Sequence, residues 1–543
     1  MNFKTILILI FFTILRIFLI TNIPIFLSTN MGYDDVLMVN QAESLIDGNW
    51  LGEYDDKTLT KGFFYPFFIA TCNKLHIKYS VGSTILYVLA SILFIYSIHH
   101  LVKRKGSLIF YYLLLLYNPI SFAFETYQKL YRNSIVPSLT IIIFSLIILL
   151  IKHKDSKKGY IISFLVGLIL FIMYNNRQDM IWIAPSLVLL AIPLINKSKT
   201  LKSIMPLFII FITFIIGNTI ISTRNYLEYG LYTTNELEKS SFKKTFLELS
   251  KIKSKNIDSQ ISKETLDKVA KTSETFNNLY TKEKQIELYT NWTYKSSEIG
   301  KEINNGFLIW ALRSMVDYTN GAQAAEQTWK DIYAEIEDEK FEKRFILNNV
   351  YLVPPRLSYI PIVLKEVPKN LKYIITYENV IPKINTTYRD EDIVKLARKV
   401  TNDTILYHSC SDEKCTISAD DYIYSKNLLL SISNLYSLMI PILFIISIVI
   451  FIYNIIKKKN ILLECMVISS FILIFFGVTY TDCFYVDAAN YFYFAPIYSV
   501  LIIFIILSLK GVDLHEIINN NTRLQWRKIY TRYNWKSKKF KYW

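Results

Sequence analysis

The sequence predicts an all-α polytopic membrane protein, with about ten transmembrane helices, further interfacial helices and a mainly helical extracytoplasmic insert. Three observations carry that expectation. Apolar runs near twenty residues recur on either side of one long hydrophilic stretch, and a helix of that length spans the hydrocarbon core of a bilayer. Hydrophobic residues make up 52% of the 543-residue chain, and its mean hydropathy is positive. The net charge of +16 collects in short loops between the apolar runs and in the C-terminal tail, as the positive-inside rule expects. That placement makes the lipid bilayer the expected partner and argues against nucleic acid.

The first apolar run, residues 4–26, follows Lys4 as a signal peptide would. It is too long for one and no small-residue cleavage site follows, so it reads as an uncleaved helix. Arg16 lies in its middle, where an arginine either snorkels to an interface or serves a lipid-phosphate site. The loop 27–80 comes next. Val36, Val39, Ala42 and Leu45 recur every third residue, which suggests a short surface helix closed by Gly48, and 63–77 suggests a second. Spans are expected at about 81–102, 107–124, 134–151, 159–174, 180–195 and 202–222. Lys103-Arg104-Lys105, then Lys152, Lys154, Lys157 and Lys158, then Lys197, Lys199 and Lys202 mark alternate loops as cytoplasmic. The intervening loops, 125–133 and 175–179, then share the outer side with loop 27–80.

Residues 1–222 thus form an N-terminal transmembrane module. The hydrophilic stretch 223–426 is expected to be one helical domain outside, with Trp310, Leu312 and Trp329 in its core. Spans at 427–456, 461–479 and 490–509 complete a C-terminal module, 427–509, and 510–543 is a basic-aromatic tail suited to the anionic inner leaflet. Both termini are expected to be cytoplasmic. Five cysteines are too few for a disulfide framework. Cys410 and Cys415 are close enough for a small disulfide loop, whereas Cys72, Cys465 and Cys483 read as packing residues.

Adjacent carboxylates just beyond a membrane helix, Asp34 and Asp35, are costly to desolvate and need partners. After them come Gln41-Ala42-Glu43-Ser44-Leu45-Ile46-Asp47-Gly48-Asn49-Trp50 and Lys61-Gly62-Phe63-Phe64-Tyr65-Pro66. This order of acidic pair, amphipathic run and Lys–aromatic–Pro turn resembles the GT-C superfamily of integral-membrane glycosyltransferases. The nearest branch is the one like protein mannosyltransferases and lipid A aminoarabinose transferases (family 39-like). The resemblance covers mainly the first 225 residues, and it departs where Gly62-Phe63 stands for the family's usual Pro-Pro. It implies a GT-C fold in a bacterial cytoplasmic membrane. It implies inverting transfer of a sugar from a polyprenyl-phosphate-linked donor to a hydroxyl on a glycan, lipid or protein acceptor at the outer face. Asp34 matches the first acid of the family's pair and so becomes the general base, and Glu125 resembles an acid that relatives place between the third and fourth spans. A divalent cation, Mg or Mn, is left open, because parts of the superfamily need none.

The residues themselves add a placement. Asp34, Asp35, Lys61, Glu125, Arg132, Arg177 and Asp179 are far apart in sequence, yet all are expected at outer helix ends. Transfer needs a carboxylate to take the acceptor proton and cations to stabilise the departing phosphate. Arg132 and Arg177 suit the phosphate, since a guanidinium grips two oxygens, with Lys61 and Arg16 as further donor-phosphate candidates. Asp179 either supports the site or simply pairs with Arg177. Asp35 points about 100° away from Asp34 on a helix, which leaves it to hold a metal, cap the helix or orient a cation. An acidic first turn that stabilises the helix dipole accounts for the pair without catalysis, and headgroup water accounts for Glu125. Arg224 and Arg313 are weaker candidates. No P-loop, G-x-S-x-G or H-E-x-x-H motif is present, which argues against the chemistries those motifs serve. Two other classes stay in view: a polymerase or ligase of lipid-linked glycans, and a flippase or transporter, which calls for midplane charges and symmetric halves.

Overall fold

The computed structural model describes all residues except 1–2, 29–33, 196–200, 257, 294–301, 346–356, 385–390, 407–419, 485–489 and 512–543. Cys410, Cys415 and nearly all of the tail therefore lie outside the described residues. Within them the chain is all-helical, with isolated bridges but no strands. The first part carries α1 (Phe3–Thr21), loop helices α2 (Asp35–Ile46) and α3 (Phe64–Lys74), then α4 (Tyr79–Ile98), α5 (Ser107–Leu116), α6 (Val136–His153), α7 (Lys157–Asn176), α8 (Ala184–Ile195) and α9 (Leu201–Tyr229). The hydrophilic stretch carries α10 (Ser241–Lys251), α11 (Lys263–Thr272), α12 (Glu274–Leu279), α13 (Lys282–Asn291), α14 (Leu308–Arg313), α15 (Ala322–Glu337), α16 (Ile360–Ile375) and α17 (Glu391–Thr401). The chain ends in α18 (Asp420–Ile456), α19 (Leu462–Phe484) and α20 (Ala495–Leu509).

Among the described residues, seven segments are long and apolar enough to cross a membrane: Tyr79–Ile98, Arg132–His153, Lys157–Asn176, Gln178–Ile195, Ile204–Tyr229, Tyr422–Ile456 and Leu462–Phe484. The other three expected spans are of two kinds. Ile6–Thr21 and Ala495–Leu509 are shorter apolar helices, and Ser107–Leu116 with Pro119–Gln128 forms a pair bent by 46°. The break falls where Pro119 lacks the N–H that would continue the helical ladder. Inside the bundle, α6 and α20 are almost wholly buried. Around them, Phe11, Ile14, Leu89, Phe164, Val188, Phe211, Ile220, Leu438 and Val449 point outward. An apolar interior ringed by outward apolar side chains is what a bundle solvated by lipid requires.

The loop helices form where the sequence spacing placed them. α2 ends as Gly48 takes φ +88°, a left-handed position that glycine adopts freely. The stretch 223–426, expected as one domain, divides in two. Helices α10 to α15 enclose their own core around Phe242, Phe246, Leu266, Phe276, Leu312 and Trp329. From α16 onward, Ile374, Tyr377, Val394, Ala397 and Val400 instead join the core of the membrane bundle. There α17 lies over α2 and α3, held by Asn73 Nδ2 donating to the Lys399 and Val400 carbonyls at 2.8 and 2.9 Å.

Candidate functional site

The first loop is fixed from two sides. On the bundle side, Gly62 lies against the last turn of α7 so closely that a methyl group there would collide with the Asn175 carbonyl. As the chain packs here, only glycine fits this position without displacing α7. From the other side, Glu236 and Arg313 form a buried ion pair at 2.9 Å. Arg313 Nε donates to the Asp56 carbonyl at 2.6 Å, and the Tyr54 hydroxyl donates to Glu236. The Glu236 N–H donates to the Leu59 carbonyl at 2.9 Å, and Asn235 Nδ2 donates to the Thr60 carbonyl at 2.9 Å. Arg313 is therefore a structural latch on loop 54–60.

Held in this way, Lys61 Nζ donates to Asp34 Oδ1 at 2.9 Å and to the Tyr131 hydroxyl at 3.0 Å. Arg132 donates to the same hydroxyl at 2.8 Å and to the Asn176 carbonyl, where α7 ends, at 3.1 Å. Arg177 grips Asp179 with two N–H groups and also donates to Asn133. Burial alone would raise the Asp34 carboxyl, but the positive charges of Lys61, Lys129 and Arg132 prevail and hold it at about 2. Three cations face one carboxylate here, while Arg177 and Asp179 neutralise each other. The surplus is positive, and Asp34, about a fifth exposed, opens it to the outside of the fold.

Five of the residues singled out from sequence thus meet in one network: Asp34, Lys61, Arg132, Arg177 and Asp179. Three do not. Asp35 is fully buried and accepts the backbone N–H groups of Ser28 and Val36, which ties the chain before α2 to its first turn. Glu125 has its backbone N–H on the Tyr491 hydroxyl at 3.1 Å, and no hydrogen bond or ion pair joins its side chain to the cluster among the described residues. Arg16 corrects both expectations for it, since it neither snorkels nor reaches the site. It is fully buried, donates to the Leu116 carbonyl and to Ser121 Oγ, the latter at 3.0 Å, and lies 4.4 Å from the centre of the Tyr87 ring.

Sequence reasoning missed Lys129, Tyr131, Phe492 and the role of Trp310. Lys129 is 9% exposed, and among the described residues no acceptor lies within bonding distance of its ammonium. It sits instead 5.4 and 4.9 Å from the rings of Tyr131 and Phe492, which stack on each other. Cation–π contact offsets part of the cost of burying it. Trp310, expected in the insert's core, packs against that core and also lies 5.1 Å from the Lys61 ammonium. The available signal was the alternation Lys129-x-Tyr131-Arg132 in a short loop on the side where few basic residues belong.

A divalent cation does not fit this donor set. Asp34 is already matched to Lys61 and surrounded by further positive charge, and both Asp179 oxygens are taken by Arg177. Among the described residues no three His, Cys, Asp or Glu side chains converge elsewhere. The arrangement can bind an anion beside an ionised carboxylate. No protein-family model, curated protein or solved structure matches the chain.

Proposed function

We propose that this is a polytopic, inverting glycosyltransferase of GT-C type. It would move a sugar from a polyprenyl-phosphate-linked donor to a hydroxyl of a glycan, lipid or protein acceptor at the outer face of a bacterial cytoplasmic membrane. On this reading all ten apolar segments span or enter the bilayer, and helices α10 to α15 lie outside. The observation that carries it is the positive surplus around Asp34, where Lys61, Lys129 and Arg132 face one carboxylate and Lys129 has no hydrogen-bonded acceptor among the described residues. A phosphate would supply the further negative charge that this surplus favours.

In the reaction, the acceptor oxygen attacks the anomeric carbon and the carbon–oxygen bond to the phosphate breaks. The electron pair leaves with the polyprenyl phosphate, and the acceptor proton passes to Asp34. Lys129, Arg132 and Lys61 stabilise the charge that develops on the phosphate. A carboxyl held at about 2 is a weak base while Lys61 is bonded to it. A phosphate that draws Lys61 toward itself raises that basicity at the moment the proton must move. Donor binding and base activation are then one event.

The test is sugar transfer in nanodiscs, with short-chain polyprenyl-phosphoryl sugars as donors and a panel of hydroxyl acceptors. Transfer by the wild type and its loss in Asp34→Asn, with insertion unchanged, are expected. Movement of the lipid-linked sugar across the bilayer without transfer overturns the proposal in favour of a flippase, and joining of whole glycans overturns it in favour of a polymerase.

A further inference from the structure

The four last carbonyls of an α-helix have no partner within the helix, and in α5 each is met by a residue past its end or from another part of the chain. Tyr117 N–H and the Tyr436 hydroxyl reach the Leu113 carbonyl at 3.0 and 3.3 Å, and the Tyr436 hydroxyl donates more closely to Leu114 at 2.8 Å. The Tyr87 hydroxyl donates to Leu115 at 2.8 Å, and Arg16 donates to Leu116. A guanidinium at the negative end of a helix dipole, against a tyrosine ring, is stabilised without a carboxylate. Arg16 also spans the break. Its second donor reaches Ser121 Oγ, which itself donates to the Asn118 carbonyl at 2.6 Å.

Past the break the chain runs through short turns that end at Lys129, Tyr131 and Arg132. Those turns have little ladder of their own, so their course depends on where they start and where they are tied. Arg16 sets the start. The chain just past the same helix provides the tie: Gln128 Nε2 donates to the Pro24 carbonyl at 3.1 Å, Phe26 N–H donates to the Gln128 carbonyl at 2.9 Å, and Leu130 N–H donates to the Phe26 carbonyl at 3.1 Å.

We propose that Arg16 is a positioning residue: by pinning the end of α5 to Ser121 across the 117–120 break, it aims residues 121–132 so that Lys129 and Arg132 meet Asp34. This rests on the anion-binding reading of the site, and the experiment separates the two. Hydrogen exchange and binding of a short-chain polyprenyl phosphate are measured on the full chain in nanodiscs for the wild type, Arg16→Met, Arg16→Lys and Ser121→Ala. Loss of a charged hydrogen bond corresponds to roughly tenfold or more in an equilibrium. Arg16→Met is therefore expected to speed exchange in 119–132 about tenfold and to weaken phosphate binding similarly, while α10 and α15 keep their protection. Arg16→Lys, which keeps the charge and reaches one acceptor, should recover part of both. Ser121→Ala should shift both in the same direction by less, and it carries the test if Arg16→Met does not fold. Unchanged exchange in 119–132 in Arg16→Met, or in Ser121→Ala in that case, overturns the proposal. Faster exchange in 119–132 in a protein whose wild type binds no polyprenyl phosphate leaves the pin standing and removes the donor reading.

Discussion

Replacing Asp34 with Asn removes a charge and keeps the shape, so it imitates the protonated carboxyl at every pH. The gap between the ordinary 3.8 and about 2, at about 1.36 kcal/mol per unit, makes the ionised form worth about 2 kcal/mol to folding. A depressed carboxyl contributes stability that is complete above its unfolded value and lost as pH falls through its folded value. The wild type should therefore exceed Asp34→Asn by about 2 kcal/mol at pH 7, with the gap closing between pH 4 and pH 2. Equilibrium unfolding in mixed detergent micelles, followed by tryptophan fluorescence at pH 7 and pH 2.5, measures it. A gap below about 0.5 kcal/mol at pH 7, the size of an ordinary surface substitution, or a gap equal at both pH values refutes the charge reasoning. Transfer activity should fall by about 10²–10⁴-fold in the same variant, the usual contribution of a general base.

Lys129→Met should weaken polyprenyl-phosphate binding at least tenfold and let the Asp34 carboxyl rise, because one of the charges that hold it down is gone; isothermal titration and the pH dependence of unfolding check both. Gly62→Ala forces a methyl onto the Asn175 carbonyl, with an expected cost of about 1–3 kcal/mol and a displaced Lys61, seen as lower activity at unchanged insertion. Glu236→Ala strands Arg313 in the interior and should cost about 3–5 kcal/mol; adding Arg313→Met should restore a good part of that in unfolding measurements.

The helices were legible because lipid imposes a plain rule: a long apolar run without charges has one stable form. The loop helix α2 was legible for a similar reason, with Val36, Val39 and Ala42 at one spacing and Gly48 to end it. The site was legible only where topology and residue type pointed the same way, as for Asp34, Lys61, Arg132, Arg177 and Asp179. Asp35 and Arg16 carry the same charges as their neighbours in the argument, but Asp35 accepts from backbone N–H groups and Arg16 donates to a helix-end carbonyl and to Ser121, and no sequence motif announces those. Lys129 escaped notice because its distinguishing property is the lack of a partner among the described residues, which only packing reveals. The split of 223–426 was equally hidden, since the buried faces of α16 and α17 have the same periodicity whichever core they join.

The latch between the opening loop and α14 has a consequence for biogenesis. Lys61 and Trp310 are separated by about 250 residues, which at about 5–20 residues per second is about 12–50 s of synthesis. During that interval the intervening apolar segments enter the bilayer while Lys61 has Asp34 and Tyr131 but no indole cover, and Asp56 and Tyr54 wait for Arg313 and Glu236. Phe492, which stacks on Tyr131 beside Lys129, and the buried helix α20 follow later still, so the cluster is completed only when nearly the whole chain has been made.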